Sequence, residues 1–240
     1  MNRILYMVLR NFTKVPGAYL KLRHYAKNTD KYPELEKYQH IQYIFQQAIK
    51  GGNIDLQIYG KENIPDEDGF LIISNHQGLF DIMAIAAGCD RPWGAVLKKE
   101  LYEIPFMKEL VDCTYSFPMD RDDIKQSMQV IISTTKEVQK GRNYLIFPEG
   151  TRSKMGNKML EFHSGSFKIA TKAKCPILPI ALIDCYKALD QKGHHPITVQ
   201  MHYLEPIQYE EYKDMNTTEL ANLVRARIEA AIEEHAPKAE

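Results

Sequence analysis

His76 and Asp81 stand five residues apart in the run FLIISNHQGLFDIMAIAAG, residues 70–88. A histidine that titrates near neutral pH can take a proton from a hydroxyl, and a carboxylate can fix its tautomer and stabilise the imidazolium. A five-residue offset is poor on a continuous helix, where positions i and i+4 align. It works if a turn at Gln77-Gly78 folds the imidazole back over the start of a helix opening at Asp81. The same two residues also read as a surface histidine in a turn and an aspartate capping a helix. A second group is cationic. Lys98 and Lys99, Arg121 and Arg152 each follow an apolar run that reads as a strand. In a parallel sheet all would share the edge that carries His76. Cations converging on one mouth fit a phosphate or carboxylate ligand, and arginine suits bidentate contact. The third group is FPEGTRS, residues 147–153. Gly150 permits a tight turn whose amides could cradle an anion beside Arg152. Glu149 could organise donors there or accept a bond from a substrate hydroxyl.

Positioning these groups requires strands that hand over to turns. Residues 70–73 form a short apolar run that reads as a buried strand, followed by the polar turn 74–78. Ile54–Tyr59 alternates like a strand, 94–97 and 114–119 are extended, and 144–147 feeds FPEGTRS. Ile177–Ile183 reads as a strand broken by Pro179, and Ile197–Tyr203 has a period of two. Helices are expected over 34–50, over 101–111 with an interruption at Pro105, from a cap at Asp122 or Asp123 through Lys140, and over 162–174. Asn216 and Glu219 make a capping-box pair for a last helix, Thr217–His235. The alternation predicts an α/β sheet covered on both faces. Chemistry is then expected where strands turn into helices.

The composition, 44% hydrophobic and 26% charged over 240 residues, is that of a globular chain with a substantial core. Cys89, Cys113, Cys175 and Cys185 show no metal-ligand or redox spacing, which fits isolated thiols in a reducing cytosol. The zero net charge hides an asymmetry. Residues 1–27 carry Arg3, Arg10, Lys14, Lys21, Arg23 and Lys27 and no acid, leaving −6 on the remainder. Ile4, Leu5, Val8, Leu9 and Phe12 share one helical face, Pro16-Gly17 is expected to break that helix, and Tyr19, Leu22, Tyr25 and Ala26 line a second. Two short, basic, aromatic amphipathic helices fit attachment to an anionic lipid surface more than to nucleic acid; packing on the body is the other reading. No apolar run approaches the ~18–20 residues that span a bilayer. The expectation is a peripheral protein on the cytoplasmic face of a membrane, with helices over 1–50 and a catalytic domain over 51–240.

Taken together, NHQGLFD (75–81), the segment ending in Met119-Asp120-Arg121, FPEGTRS (147–153) and CPILPIAL (175–182) resemble, in order and spacing, the four blocks of the glycerolipid acyltransferase family. VLKKELYEIPF (96–106) resembles the segment between its first two blocks, and GKENIP (60–65) its lead-in. The resemblance implies a mixed, largely parallel α/β sheet flanked by helices, of the glycerolphosphate acyltransferase kind, preceded by N-terminal amphipathic helices. It implies transfer of an acyl group from a thioester to a glycerolipid hydroxyl, with His76 as general base paired to Asp81. Arg121, Glu149, Gly150, Thr151 and Arg152 are implied at the acceptor's phosphate, Lys98 as a further phosphate contact, and Pro176 and Pro179 on the donor side. The implied acceptor is a lysophospholipid, 1-acylglycerol-3-phosphate acylated at its sn-2 hydroxyl, with glycerol-3-phosphate or another lysophospholipid as the alternative. The co-substrate is acyl-CoA or acyl-ACP, with no cofactor and no metal. Gly78 departs from the family, where many members have serine.

Two other classes compete. A non-catalytic lipid-binding protein would use residues 1–27 and the basic mouth but has no need of His76, Asp81 and FPEGTRS together. A metal-dependent hydrolase would recruit His163, His194 and His195, which lack a spacing such as HExxH.

Overall fold

The computed structural model describes residues 2–237; Met1 and residues 238–240, which belong to the expected divisions 1–50 and 51–240, lie outside the described residues. The chain runs α1 (Arg3–Arg10), α2 (Val15–Lys27), α3 (Glu34–Gly51), β1 (Ile54–Tyr59), β2 (Leu71–Ser74), α4 (Asp81–Gly88), β3 (Trp93–Lys98), α5 (Met107–Cys113) and β4 (Phe117–Met119). It continues through α6 (Ile124–Gln139), β5 (Asn143–Ile146), α7 (Lys168–Ala173), β6 (Ile177–Ile183), α8 (Tyr186–Leu189), β7 (Ile197–Tyr203), α9 (Tyr209–Tyr212) and α10 (Thr217–His235). The strands form one sheet in the order β1-β7-β6-β2-β5-β3-β4. All neighbours are parallel except β6 and β7. The mixed, largely parallel α/β sheet is therefore the architecture.

Strand β2 shows why the sheet is covered on both faces. Leu71, Ile72 and Ile73 are all fully buried, and alternate side chains point to opposite faces. Ile72 joins a core with Met7, Leu22, Phe45 and Ile85, contributed by α1 to α4. Leu71 and Ile73 join the other, with Val138 of α6, Ile169 of α7 and Val224 and Ile228 of α10. A strand buried on both sides needs an unbroken apolar run, which residues 70–73 supply. Helix α3 shares the first core, so α1 to α4 form one layer against that face of the sheet.

Four local expectations change. Pro16 lies in the first turn of α2 and does not break a helix; its missing N–H costs nothing where no helical partner exists, and the break falls at residues 11–14. Pro179 sits within an unbroken β6. Its carbonyl accepts from Leu204 N–H at 2.9 Å, so its ring nitrogen faces the side where β7 has already ended and no ladder bond is lost. The expected helix 101–111 is a 3-10 turn, Lys99–Glu103, followed by α5, and 162–174 likewise divides into Ser164–Phe167 and α7. Helices α8 and α9 were not expected.

Candidate active site

Strands β2, β5, β3 and β4 run parallel, so the turns that follow them open on one edge. His76 follows β2, Lys98 ends β3, Arg121 follows β4 and FPEGTRS follows β5. At about 4.8 Å between strands, the β3 position lies about 10 Å and the β4 position about 14 Å across from β2.

At the β2 turn, His76 Nδ1 lies 2.8 Å from Asp81 Oδ2. The same oxygen accepts the N–H groups of Gln77 at 2.6 Å and Gly78 at 2.9 Å. The backbone between the two residues thus wraps around the carboxylate at the start of α4, and this closes the five-residue offset. Asp81 is fully buried. Burial raises its pKa, against the pull of His76 and the two amides. With Nδ1–H donating to the carboxylate, the lone pair is left on Nε2. The imidazole lies against Phe147, with ring centroids 4.1 Å apart and planes at 16°, and its side chain keeps 19% exposure.

FPEGTRS grips the same histidine by its backbone. His76 N–H donates to Glu149 Oε1 at 2.6 Å, Leu160 N–H donates to Oε2 at 2.8 Å, and Ser153 N–H donates to the His76 carbonyl at 2.8 Å. Glu149 is only 2% exposed, and burial raises its pKa while the amide bonds oppose the rise. Both its oxygens are taken within the chain, which makes it an organiser of the turn. Gly150 adopts a positive φ of 70°, and a Cβ there would press on His163. Thr151 is exposed. Arg152 donates to Asp190 Oδ1 at 3.1 Å.

The remaining cations are arranged less tightly. Lys98 pairs with Glu100 at 3.1 Å, Lys99 with Asp120, and Arg121 is exposed in the turn before α6. The structure therefore gathers His76, Asp81, Glu149, Gly150 and Arg152 into one unit and sets Lys98 and Arg121 at the far side of the same mouth. His194 and His195 stack together beside Tyr6 of α1. Among the described residues, no group of three or more His, Cys, Asp or Glu is arranged to hold a metal ion.

Several supporting residues escape sequence reasoning. Asn75 exchanges two bonds with Leu182, its amide donating at 2.9 Å and its oxygen accepting at 2.8 Å. Gln77 accepts from Cys185 N–H and donates to Asn157, each at 2.8 Å. The only available signal was their place in a polar turn between apolar runs. An apolar cavity of about 420 Å³ lies between α1, α2 and α3 and is lined by Val8, Tyr19, Phe45, Met83, Phe106 and Leu189. Met83 is on helix α4, two residues beyond Asp81. All four cysteines are free and buried. Burial pushes the thiols of Cys89, Cys113 and Cys175 up to about 11, 12 and 12, and raises Cys185 too.

A family model described as Acyltransferase matches residues 55–183. The 1-acyl-sn-glycerol-3-phosphate acyltransferase of Helicobacter pylori is 36% identical over 53% of this chain and 54% of its own length. The enzyme of that name from Salmonella typhimurium is 31% identical over 68% of this chain and 67% of its own. In fold, the chain superposes on the crystal structure of the 1-acyl-sn-glycerophosphate (LPA) acyltransferase of Thermotoga maritima with a TM-score of 0.77 at 23% identity, covering 99% of this chain and 98% of that one. A match over more than half the chain, on the segment that carries the His76–Asp81 turn and the FPEGTRS clamp, identifies this protein as a member of the acyltransferase family.

Proposed function

We propose that the protein transfers a fatty acyl group from an acyl thioester to the sn-2 hydroxyl of 1-acylglycerol-3-phosphate, giving phosphatidic acid. The observation that carries this reading is the His76–Asp81 pair, with a buried carboxylate on Nδ1 and Nε2 left as the base. His76 Nε2 takes the hydroxyl proton as the oxygen attacks the thioester carbonyl. The tetrahedral intermediate then collapses, the carbon–sulfur bond breaks, and the thiolate leaves with the proton from the imidazolium. Arg152, Lys98 and Arg121 hold the acceptor's phosphate, so that binding supplies orientation. No acyl-enzyme is invoked: the buried thiols are poor nucleophiles, because the thiolate is the reactive form. The acyl chain lies in the apolar cavity, whose size and lining suit a ligand pocket. Acyl-CoA or acyl-ACP supplies the chain.

The protein acts at a membrane surface, on the cytoplasmic side, and needs no cofactor. Helix α1 supports the surface assignment because much of its apolar surface is turned outward. Its inward side is mixed: Met7 packs in the core, buried Arg3 donates to the carbonyls of Gly52 at 2.7 Å and His195 at 3.0 Å, and Asn11, just past the helix, donates to Gln47 O at 3.1 Å. Its apolar side is outward, with Leu5 51%, Leu9 52% and nearby Phe12 69% exposed. Apolar groups left in water beside basic residues fit an interfacial helix. No helix among the described residues is long and apolar enough to cross a membrane. The test is acyl transfer to lysophosphatidic acid with both donor types. His76→Ala is expected to abolish product while the fold is kept, and full activity in that variant would remove His76 as the base.

A further inference from the structure

We infer that Asp190 sets the affinity of the acceptor's phosphate site: it is an internal anion that occupies Arg152 at the mouth of the site and raises the threshold a phosphate-bearing acceptor must clear. The inference rests on the acylation reading for the identity of the acceptor.

Asp190 ends helix α8, which is anchored to the catalytic turn through the bond from Cys185 N–H to Gln77. Its Oδ1 accepts from Arg152 at 3.1 Å, and its Oδ2 accepts from Leu79 N–H at 3.3 Å, two residues before Asp81. The carboxylate therefore sits between the phosphate-site arginine and the turn that presents His76. Gly78 makes this possible. A Cβ on that residue would clash with Asp190 Oδ2 and lie 3.2 Å from the Tyr186 Cα. A side chain at position 78 would push the carboxylate off the turn and crowd the start of α8 at Tyr186.

A carboxylate at this place acts on charge. The Arg152 and Asp190 side chains are 33% and 34% exposed, so their attraction is screened but not abolished. An incoming phosphate must displace Asp190 from the guanidinium or share it with a like charge nearby. Either way the site binds a bare phosphate less well than Arg152 alone would. A soluble phosphate monoester has little but its phosphate to hold it. An acceptor delivered in a membrane also has its acyl chain and a high local concentration. Asp190 thus lowers the affinity for both by a similar factor, and the lipid acceptor, held also by its chain, still occupies the site where a small phosphate does not.

The test compares wild type with Asp190→Asn at fixed, low ionic strength. Inorganic phosphate is titrated into the whole protein and followed by phosphorus-31 NMR, and KM is measured for lysophosphatidic acid. The expected result is about three- to tenfold tighter phosphate binding and a similar fall in KM, from the loss of one partly screened charge. Adding Arg152→Gln should erase the gain, as a double-mutant cycle requires of a shared partner. Unchanged or weaker phosphate binding in Asp190→Asn would overturn the inference and make Asp190 a support for Arg152. If that variant does not fold, Gly78→Ser, which displaces the carboxylate, must give the same tightening or the inference fails. The NMR titration needs no turnover, so a wild-type protein that forms no phosphatidic acid would refute the acylation reading and leave this result to stand or fall by itself.

Discussion

Replacing Glu149 by glutamine tests whether this buried carboxylate serves the acceptor or the histidine. Its two oxygens each accept one backbone N–H, from His76 at 2.6 Å and Leu160 at 2.8 Å, with 2% of the residue exposed. A glutamine offers one oxygen and one NH₂, so whichever way the amide lies, one buried N–H faces another donor. Losing a bond to a charged acceptor costs about 1.5–3 kcal/mol, and stranding the backbone donor adds about 1–3 kcal/mol. Relief from burying a charge offsets part of this. The net expectation is a stability loss of about 2–4 kcal/mol, read by chemical denaturation. The catalytic effect is separate. Where the glutamine nitrogen meets His76 N–H, the His76 backbone keeps only the Ser153 bond, and a shift of about 1 Å in a reacting group costs about a hundredfold in rate. Initial rates at saturating thioester, with lysophosphatidic acid varied in mixed micelles, should show kcat down about a hundredfold and acceptor KM within threefold. A variant with near-native kcat and a tenfold higher acceptor KM would refute the clamp and make Glu149 a ligand of the acceptor.

Further outcomes follow from other parts of the molecule. Asp81→Asn should lower kcat by about a thousandfold or more with little change in KM, because the imidazolium loses its buried counter-charge while ground-state binding is untouched. Ile4→Ser combined with Leu9→Ser and Phe12→Ser should weaken binding to anionic vesicles, measured by sedimentation, at a stability cost of only about 1–2 kcal/mol, since these side chains are 45%, 52% and 69% exposed. Deleting residues 1–27 is a poorer test, because Leu22 and Tyr25 are core residues and their loss would unfold the first layer. His202, 7% exposed and stacked on His235, has its pKa lowered to about 4 by burial and by its neighbour. The unfolded chain takes up this proton first as pH falls. The contribution is therefore complete above pH ~6.5 and lost towards pH ~4, by up to about 3 kcal/mol. His202→Gln should flatten that part of the stability curve in denaturant titrations across pH.

The parts of the fold legible in the sequence are those where local pattern and tertiary demand agree. Ile54–Tyr59, Ile197–Tyr203 and the capped helix Thr217–His235 emerge at their expected bounds because alternation and the Asn216–Glu219 box have one structural solution each. Pro179 did not, because its effect depends on which side of β6 its nitrogen faces, and that is set by where β7 stops. Helix α8 has four residues and no apolar period, so its position comes from Cys185 and Gly78, not from its own sequence. The turn that carries His76 was legible as a polar break between a strand and a helix. Glu149 was legible as an organiser of donors or a substrate contact, without a choice between the two, and the role of Asp190 was not legible. A carboxylate satisfied by distant amides and one paired with a distant guanidinium look alike in a sequence, and only the approach of residues 73 and 38 positions away separates them.

The four buried thiols make this protein a quiet background for chemical probes. Modification rates follow the population of thiolate and its access to reagent, and Cys89, Cys113, Cys175 and Cys185 offer little of either. A single cysteine introduced at exposed Leu5 on α1 or Met128 on α6 would carry a fluorophore or spin label without removal of the native residues. The two positions lie on opposite layers of the sheet. A pair of such labels would therefore report whether either side of the molecule meets lipid, and which.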